Sequence, residues 1–415
     1  MLARRIFLRG SAVVMAGMGA VPCWLARAAT GQGAKRKTLV VIFQRGAADG
    51  LNIVVPFSEK RYSELRPTLA IAPPSRDGNN NGPFGNTIDL DGRFALNGAM
   101  QPLKALWDRQ QLAIVEATGS PDSSRSHFDA QDYMESGTSG NGPGGKIVGD
   151  GWLNRALPPS NAQTSPLRAV SMSKQVPRTL RGERDAIAIG DPQQFNMANQ
   201  DAAAILHDMY ATSGDAQWGR AGKDAFEAMK MIQAINRNQE KSAADADYGR
   251  GGELGRNLQQ LSRLIKADTG VEAAFAEIDG WDHHGNENPQ LSNMLRQFSS
   301  ALAAFSQDMG DRMEDVVLVT MSEFGRTVEE NGNSGTDHGH GSLMMVLGGP
   351  VQGGKVYGTW PGLEREQLFE GRDLAVTTDF RAVLSELIRG HLGEKDLGPV
   401  FPGFKAGDPL GLLRT

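Results

Sequence analysis

Four of the seven histidines lie in two short clusters of the last third of the chain, Asp282-His283-His284 and Asp337-His338-Gly339-His340. Carboxylate oxygen and imidazole nitrogen together suit zinc or manganese better than magnesium, which favours oxygen and water, so one or two such ions are the expected cofactor. Asp282 and His284 stand at i and i+2, and an extended backbone there would send both side chains to one face. Asp279 and His283, at i and i+4, would pair only on a helix. In the second cluster Gly335, Gly339 and Gly341 flank Asp337, His338 and His340, letting the backbone pass close to a ligand. Whether His283 or His340 also binds is left open by spacing alone, and a polar loop with its histidines packed on Trp281 is the plainer alternative.

Ser322-Glu323-Phe324-Gly325-Arg326-Thr327 follows an apolar run, which places a carboxylate and a guanidinium at a strand's carboxyl end. Glu323 is a further candidate metal ligand and Arg326 a candidate oxyanion clamp, although the two could simply pair with each other at i and i+3. Ser123-Ser-Arg-Ser-His-Phe-Asp129 is the candidate nucleophile region. A serine at a helix start lies among backbone N–H groups that favour an alkoxide and an incoming anion, which makes Ser126 the candidate nucleophile and Arg125 a second candidate clamp. The competing reading gives Ser126 only a capping role, with Asp129 three residues on.

These residues need a scaffold. Thr38-Leu-Val-Val-Ile-Phe43 reads as a strand buried on both faces of a parallel sheet, and it ends in the glycine-rich loop Gln44 to Gly50, which contains Asp49. Further strands are expected at 112–116, 271–278 and 315–320, with helices at 100–110, 126–134, 290–309 and 378–390. Strands alternating with long helices imply parallel βαβ units. Between about 199 and 268 the chain is helical in character, an expected insertion in which Leu258, Leu261, Leu264 and Ile265 form an apolar stripe. Residues 137–151 include seven glycines and should wrap a site or move.

The first 28 residues read as an export signal. Arg4-Arg5 precedes a 17-residue stretch without charge, Gly10 to Ala26, then Ala26-Arg27-Ala28 with small residues at both cleavage positions. The arginine pair resembles a twin-arginine (Tat) signal, which makes the Tat translocase a partner during export and the periplasm the expected destination. The stretch is shorter than the roughly 20 residues of a membrane span, so no stable span is expected. Four of the 43 basic residues and none of the 48 acidic ones lie in this signal, so without it the net charge falls from −5 to about −9, and nucleic acid is an unsuitable partner. The single cysteine, Cys23, lies in the signal as well, leaving no disulfide and no thiol catalyst. Residues 29–415 are long enough for one large α/β domain with insertions or for two domains, and length alone does not choose between them.

Ile42-Phe-Gln-Arg-Gly-Ala-Ala-Asp-Gly-Leu-Asn-Ile-Val-Val-Pro56, Arg125-Ser-His-Phe-Asp-Ala-Gln-Asp132, Gly151-Trp-Leu-Asn-Arg155, Gly280-Trp-Asp-His-His284, Ser322-Glu-Phe-Gly-Arg-Thr327 and Thr336-Asp-His-Gly339 resemble, in order, the motifs of the domain-of-unknown-function 1501 family. That family is in turn similar, more distantly, to the alkaline phosphatase and sulfatase superfamily. The resemblance implies a mainly parallel sheet between helix layers with a divalent metal centre at the strand ends. It would make Asp49 the superfamily's first metal aspartate, Ser126 its nucleophile, Asp282 and His284 ligands of one ion, and His338 its late histidine. Glu323 departs from the pattern, because no histidine follows it and the Asp337-His338 pair comes later. His283 stands where the family commonly has Thr. The expected function is an exported metal-dependent hydrolase of phosphate or sulfate esters, acting on a small-molecule or polymer ester. The alternative is a non-catalytic exported binding or scaffold protein that keeps the fold and works through its helical insertion.

Overall fold

The computed structural model describes residues 36–75, 86–140, 148–161, 164–190, 216–238 and 242–414. The export signal and the first part of the expected insertion, 199–215, lie outside the described residues.

Twelve strands occur among the described residues: β1 (Thr38–Gln44), β2 (Val54–Val55), β3 (Ile88–Asp89), β4 (Ala95–Leu96), β5 (Leu112–Gly119), β6 (Ala169–Ser171), β7 (Ile187–Ala188), β8 (Ala273–Ile278), β9 (Val316–Met321), β10 (Ser342–Gly348), β11 (Lys355–Tyr357) and β12 (Thr378–Asp379). Nine form one sheet in the order β11-β5-β10-β9-β1-β8-β6-β7, with β12 also against β5, while β2, β4 and β3 make a small second sheet. β1 is central and parallel to both neighbours, with Val41 opposite Phe275 on β8 and Val319 on β9. Its β-branched and apolar residues are buried throughout, as the continuous run required.

β10 is the exception. It runs antiparallel to both β5 and β9, whereas the other pairings in this sheet are parallel. The expectation of parallel βαβ units omitted this strand. Because β10 points the other way, the residues just before it, Asp337 to Gly341, arrive at the edge where the parallel strands end.

Alternate residues of β1 feed two cores. Val40 and Ile42 pack with Leu254, Leu258, Phe298 and Phe305 on one face, and Leu39, Val41 and Phe43 with Trp152, Phe380 and Phe401 on the other. The sheet is therefore the middle layer of three, an α/β fold with a mixed, mainly parallel sheet between helices. Helix Gly252–Lys266 buries the stripe Leu258, Leu261, Leu264 and Ile265 in the first core, beside helix Glu287–Met309. Its apolar face is thus spent on the domain's own core. Truncating a fully buried Leu such as Leu258 should cost about 2–5 kcal/mol. No described helix is long and apolar enough to cross a membrane.

Candidate metal centre

The carboxyl edge of the sheet gathers side chains from four separate segments. β8 leads into Asp282 and His284, β9 into Ser322 and Glu323, β5 into the loop that opens helix His127–Ser136, and β10 is preceded by His338. Asp282 and His284 meet on one side of a tightly turned loop, its backbone bonded His283 N–H to Trp281 and His284 N–H to Asp282, while His283 is buried. His340 also turns away and stacks on Phe369 with ring centroids 4.2 Å apart.

Three imidazoles converge through one type of atom. Nε2 of His338 lies 3.0 Å from Nε2 of His127, 3.1 Å from Nε2 of His284 and 3.2 Å from Oδ1 of Asp282. His284 Nε2 is 2.9 Å and His127 Nε2 3.6 Å from the same Asp282 carboxylate. His127, Asp282 and His338 each offer one ligand atom, all within 4.8 Å of one another. Ligand atoms about 2.0–2.2 Å from zinc stand roughly 3.3–3.6 Å apart in a tetrahedral site, so this spacing fits an ion with modest adjustment.

The far side of each ring explains the convergence. His127 Nδ1 donates to Glu323 Oε1 at 2.9 Å, His284 Nδ1 to Asp337 Oδ1 at 3.0 Å, and His338 Nδ1 to the Arg125 carbonyl at 3.0 Å. Each acceptor requires a proton on Nδ1 and so leaves a lone pair on Nε2, the arrangement in which outer partners fix the tautomer of a metal-binding histidine. With all three rings neutral, such lone pairs at this separation would repel one another unless a metal ion or a proton lies between them.

The carboxyls around the cluster are held in their charged form, while the histidines are pulled in both directions. Burial alone would raise the Asp282 carboxyl, but the Arg326 charge and hydrogen bond outweigh it and hold the group below the ordinary range. Glu323, which is buried, is likewise held low by bonds from His127, Gln131 and the Gly46 N–H. The hydrogen bond to Glu323 raises the His127 imidazole, whereas burial lowers that of His338. The hydrogen bond from His284 keeps Asp337 low.

The expected site residues divide by placement. Asp282, His284 and His338 meet directly. Glu323 and Asp337 reach the cluster through His127 and His284, one shell farther out than ligands. Arg326 has every guanidinium nitrogen engaged: Nε on the Ala47 carbonyl, Nη1 on that of Thr336, and Nη2 on Gly46, Trp281 and the Asp282 carboxylate. It orients Asp282 rather than facing outward. Arg125 is held by Asp373 and Glu370. Asp49 bonds to none of the three clustered histidines among the described residues; both its oxygens are taken by the fully buried Arg66, at 2.5 and 2.9 Å, with Glu287 bonded beside it. Ser126 is the residue before helix His127–Ser136, is exposed, and makes no side-chain cap bond. Its neighbours on both sides touch His338, Arg125 through its carbonyl and His127 through its ring.

His127 is the residue that sequence reasoning missed. It stands inside Arg125-Ser-His-Phe-Asp129 beside the candidate nucleophile, and a lone histidine at a helix start carries no local signal for metal binding.

Two glycines hold the second cluster in place. A Cβ on Gly339 would fall 2.4 Å from the Arg326 carbonyl group, and one on Gly335 2.4 Å from the Gly285 N and the His284 carbonyl carbon. Their need is close packing of backbone on backbone around His338, more than approach to a ligand.

The family described as a protein of unknown function (DUF1501) matches residues 36–394. No curated protein matches. Among solved structures, a TAB5 alkaline phosphatase mutant with Mg bound aligns at 11% identity over 75% of this chain and 90% of that chain, with a TM-score of 0.31, too low to carry any argument about the site.

Proposed function

The chain belongs to the DUF1501 family, and from that premise we propose that it is a metal-dependent hydrolase of phosphate or sulfate esters that works after export. The observation that carries the reading is the convergence of three Nε2 lone pairs, on His127, His284 and His338, beside the Asp282 carboxylate. That donor set suits zinc or manganese. Asp282, His127 and His338 would hold the ion and His284 would add a fourth ligand. Bound there, it would supply Lewis acidity and lower the pKa of a nearby hydroxyl or water.

The chain's own residues supply the rest. Glu323, Asp337 and the Arg125 carbonyl keep the three rings in the binding tautomer, and Arg326 fixes Asp282. Ser126 is the proposed nucleophile, because its hydroxyl is exposed, is not spent on capping, and lies between two residues that contact His338. Its oxygen would attack phosphorus or sulfur, the serine proton passing to solvent and the departing ester oxygen taking one up to leave as the alcohol, and water would then hydrolyse the seryl ester to release phosphate or sulfate and restore the hydroxyl. Export is proposed from Arg4 and Arg5, and replacing both with Lys should leave precursor in the cytoplasm.

The test is metal analysis joined to an ester panel. Purified protein should carry a transition metal, lose melting temperature on chelation, and hydrolyse an activated phosphate or sulfate ester only when loaded. Chelation that alters neither metal content nor stability would remove the basis of the proposal. One observation favours the non-catalytic reading: Arg125 and Arg326 are both committed to partners within the chain, so neither waits for a substrate oxyanion. Metal-loaded protein inert across a broad panel would decide for it.

A further inference from the structure

His127, Gln131 and Glu135 stand at i, i+4 and i+8 on helix His127–Ser136, so one stripe of that helix carries a metal-facing imidazole, an amide and a carboxylate. Arg45, the residue after β1, meets this stripe. Its guanidinium carbon lies 4.4 Å from the centre of the Phe43 ring, and its three nitrogens serve three acceptors: Nε donates to Glu277 at 2.6 Å, Nη1 to Gln131 Oε1 at 3.0 Å and Nη2 to Glu135 at 3.0 Å. Glu135 is fixed in turn by the N–H and the hydroxyl of Thr179, at 2.9 and 3.0 Å. A planar fork bonded at three corners has little freedom to turn.

The chemistry of these groups sets a direction. A guanidinium can only donate, so the end of the Gln131 amide that faces Arg45 must be its oxygen. The NH2 end then points the other way and donates to Glu323 Oε1 at 2.9 Å. Reversed, the amide would set its nitrogen against the guanidinium and its oxygen against the carboxylate, two repulsive contacts in place of two charge-assisted hydrogen bonds. Gln131 Nε2 and the Gly46 N–H both donate to Glu323 Oε1, which keeps that oxygen an ionised acceptor. The His127 Nδ1 that approaches it at 2.9 Å must therefore carry the proton, and the lone pair falls to Nε2.

We propose that Arg45 and Gln131 are positioning residues of the metal centre, acting through Glu323 to hold His127 with its Nε2 lone pair toward the ion. The proposal rests on the metal reading of the cluster and is independent of ester hydrolysis.

Two variants of Gln131 separate its hydrogen bonds from its bulk. Gln131→Met keeps the length of the side chain and removes both bonds, while Gln131→Glu keeps the bond from Arg45 and loses the donor toward Glu323. Competition with a chromogenic chelator should show zinc held about three- to tenfold more weakly by each, less than the loss of 10- to 100-fold usual for a direct outer partner. Arg45→Lys keeps a charge beside Glu135 and Glu277 but offers one nitrogen in place of three, and should give a smaller loss in the same direction. Long-range proton–nitrogen NMR spectra of the metal-free protein at alkaline pH give a readout that a space-filling role would leave unmoved. Wild-type His127 should carry its proton on Nδ1, and the Gln131→Met variant should show a share of it on Nε2. This spectrum needs no metal, so a protein that binds no zinc would reject the metal reading while the tautomer still decides the roles of Arg45 and Gln131. Wild-type zinc affinity in both Gln131 variants, or an unchanged His127 tautomer in Gln131→Met, would overturn the proposal.

Discussion

Glu323 Oε1 receives the Nδ1 proton of His127 across 2.9 Å, and this one bond between residues 196 positions apart decides which nitrogen of His127 faces the cluster. Gly46 N–H and Gln131 Nε2 hold the same oxygen, so the carboxylate is fixed before the ring docks on it.

Glu323→Ala should therefore weaken metal binding about 10- to 100-fold, the usual consequence of losing an outer partner of a ligating histidine. Glu323→Gln, which keeps an acceptor oxygen, should lose less. Competition with a chromogenic chelator reads both. Wild-type affinity in the alanine variant would mean that His127 is not oriented by this bond, or is not a ligand.

Ser126→Ala separates chemistry from architecture. A capping serine removed this way costs about 1 kcal/mol, but Ser126 makes no cap bond, so denaturant unfolding should move by less than about 0.5 kcal/mol, as at an ordinary surface site. Ester turnover should vanish with metal content intact. Full turnover in the variant would transfer the nucleophile's role to water.

Gly339→Ala should lower stability by about 1–3 kcal/mol, the usual overpacking cost, and should empty the metal site, because its Cβ meets the Arg326 backbone at 2.4 Å beside His338. Gly332→Ala, where a Cβ meets nothing within 4 Å, is the control and should be silent. Thermal melts with metal analysis compare the two, and equal behaviour would refute the packing argument.

The scaffold was legible wherever its signal is local. The run 38–43 is β1 with one residue added, the expected strand 315–320 is β9 shifted by one, and the helix expected from 290 begins at 287. β10 was not, because the direction of a strand is a property of its neighbours. Asp282, His284 and His338 were legible as ligand chemistry since each stands in a dense local cluster. Whether Glu323 binds directly or through His127 is a matter of one shell, and no spacing encodes it. Asp49 shows the same limit: its partner Arg66, on an unremarkable stretch, is known only from the fold.

Arg66 and Asp49 form a buried pair, so removing the arginine leaves the carboxylate with only the Glu287 hydrogen bond and the Arg326 charge. Arg66→Met should destabilise the protein by about 3–5 kcal/mol, far more than losing an exposed ion pair. Urea unfolding measures it, and a loss below 1 kcal/mol would show that Asp49 finds another partner or takes up a proton.

His391 gives the fold a pH dependence independent of the metal centre. Its Nε2–H donates to the Thr38 carbonyl at 3.0 Å, and Nδ1 is buried with no partner, so a second proton there has nothing to bond. Burial pushes its pKa down to about 4, whereas in the unfolded chain it should titrate near 6.5. Between these values the unfolded chain binds the proton that the folded one refuses. Stability thus rises with pH across this window, is lost as pH falls from about 6.5 to 4, and levels off below. At about 1.4 kcal/mol per pH unit the loss attributable to this group is on the order of 3 kcal/mol. His391→Gln keeps a donor for the Thr38 carbonyl and has no such titration, so its unfolding free energy should fall less steeply than wild type between pH 6.5 and 4. Parallel curves for the two proteins would place the acid sensitivity in other groups.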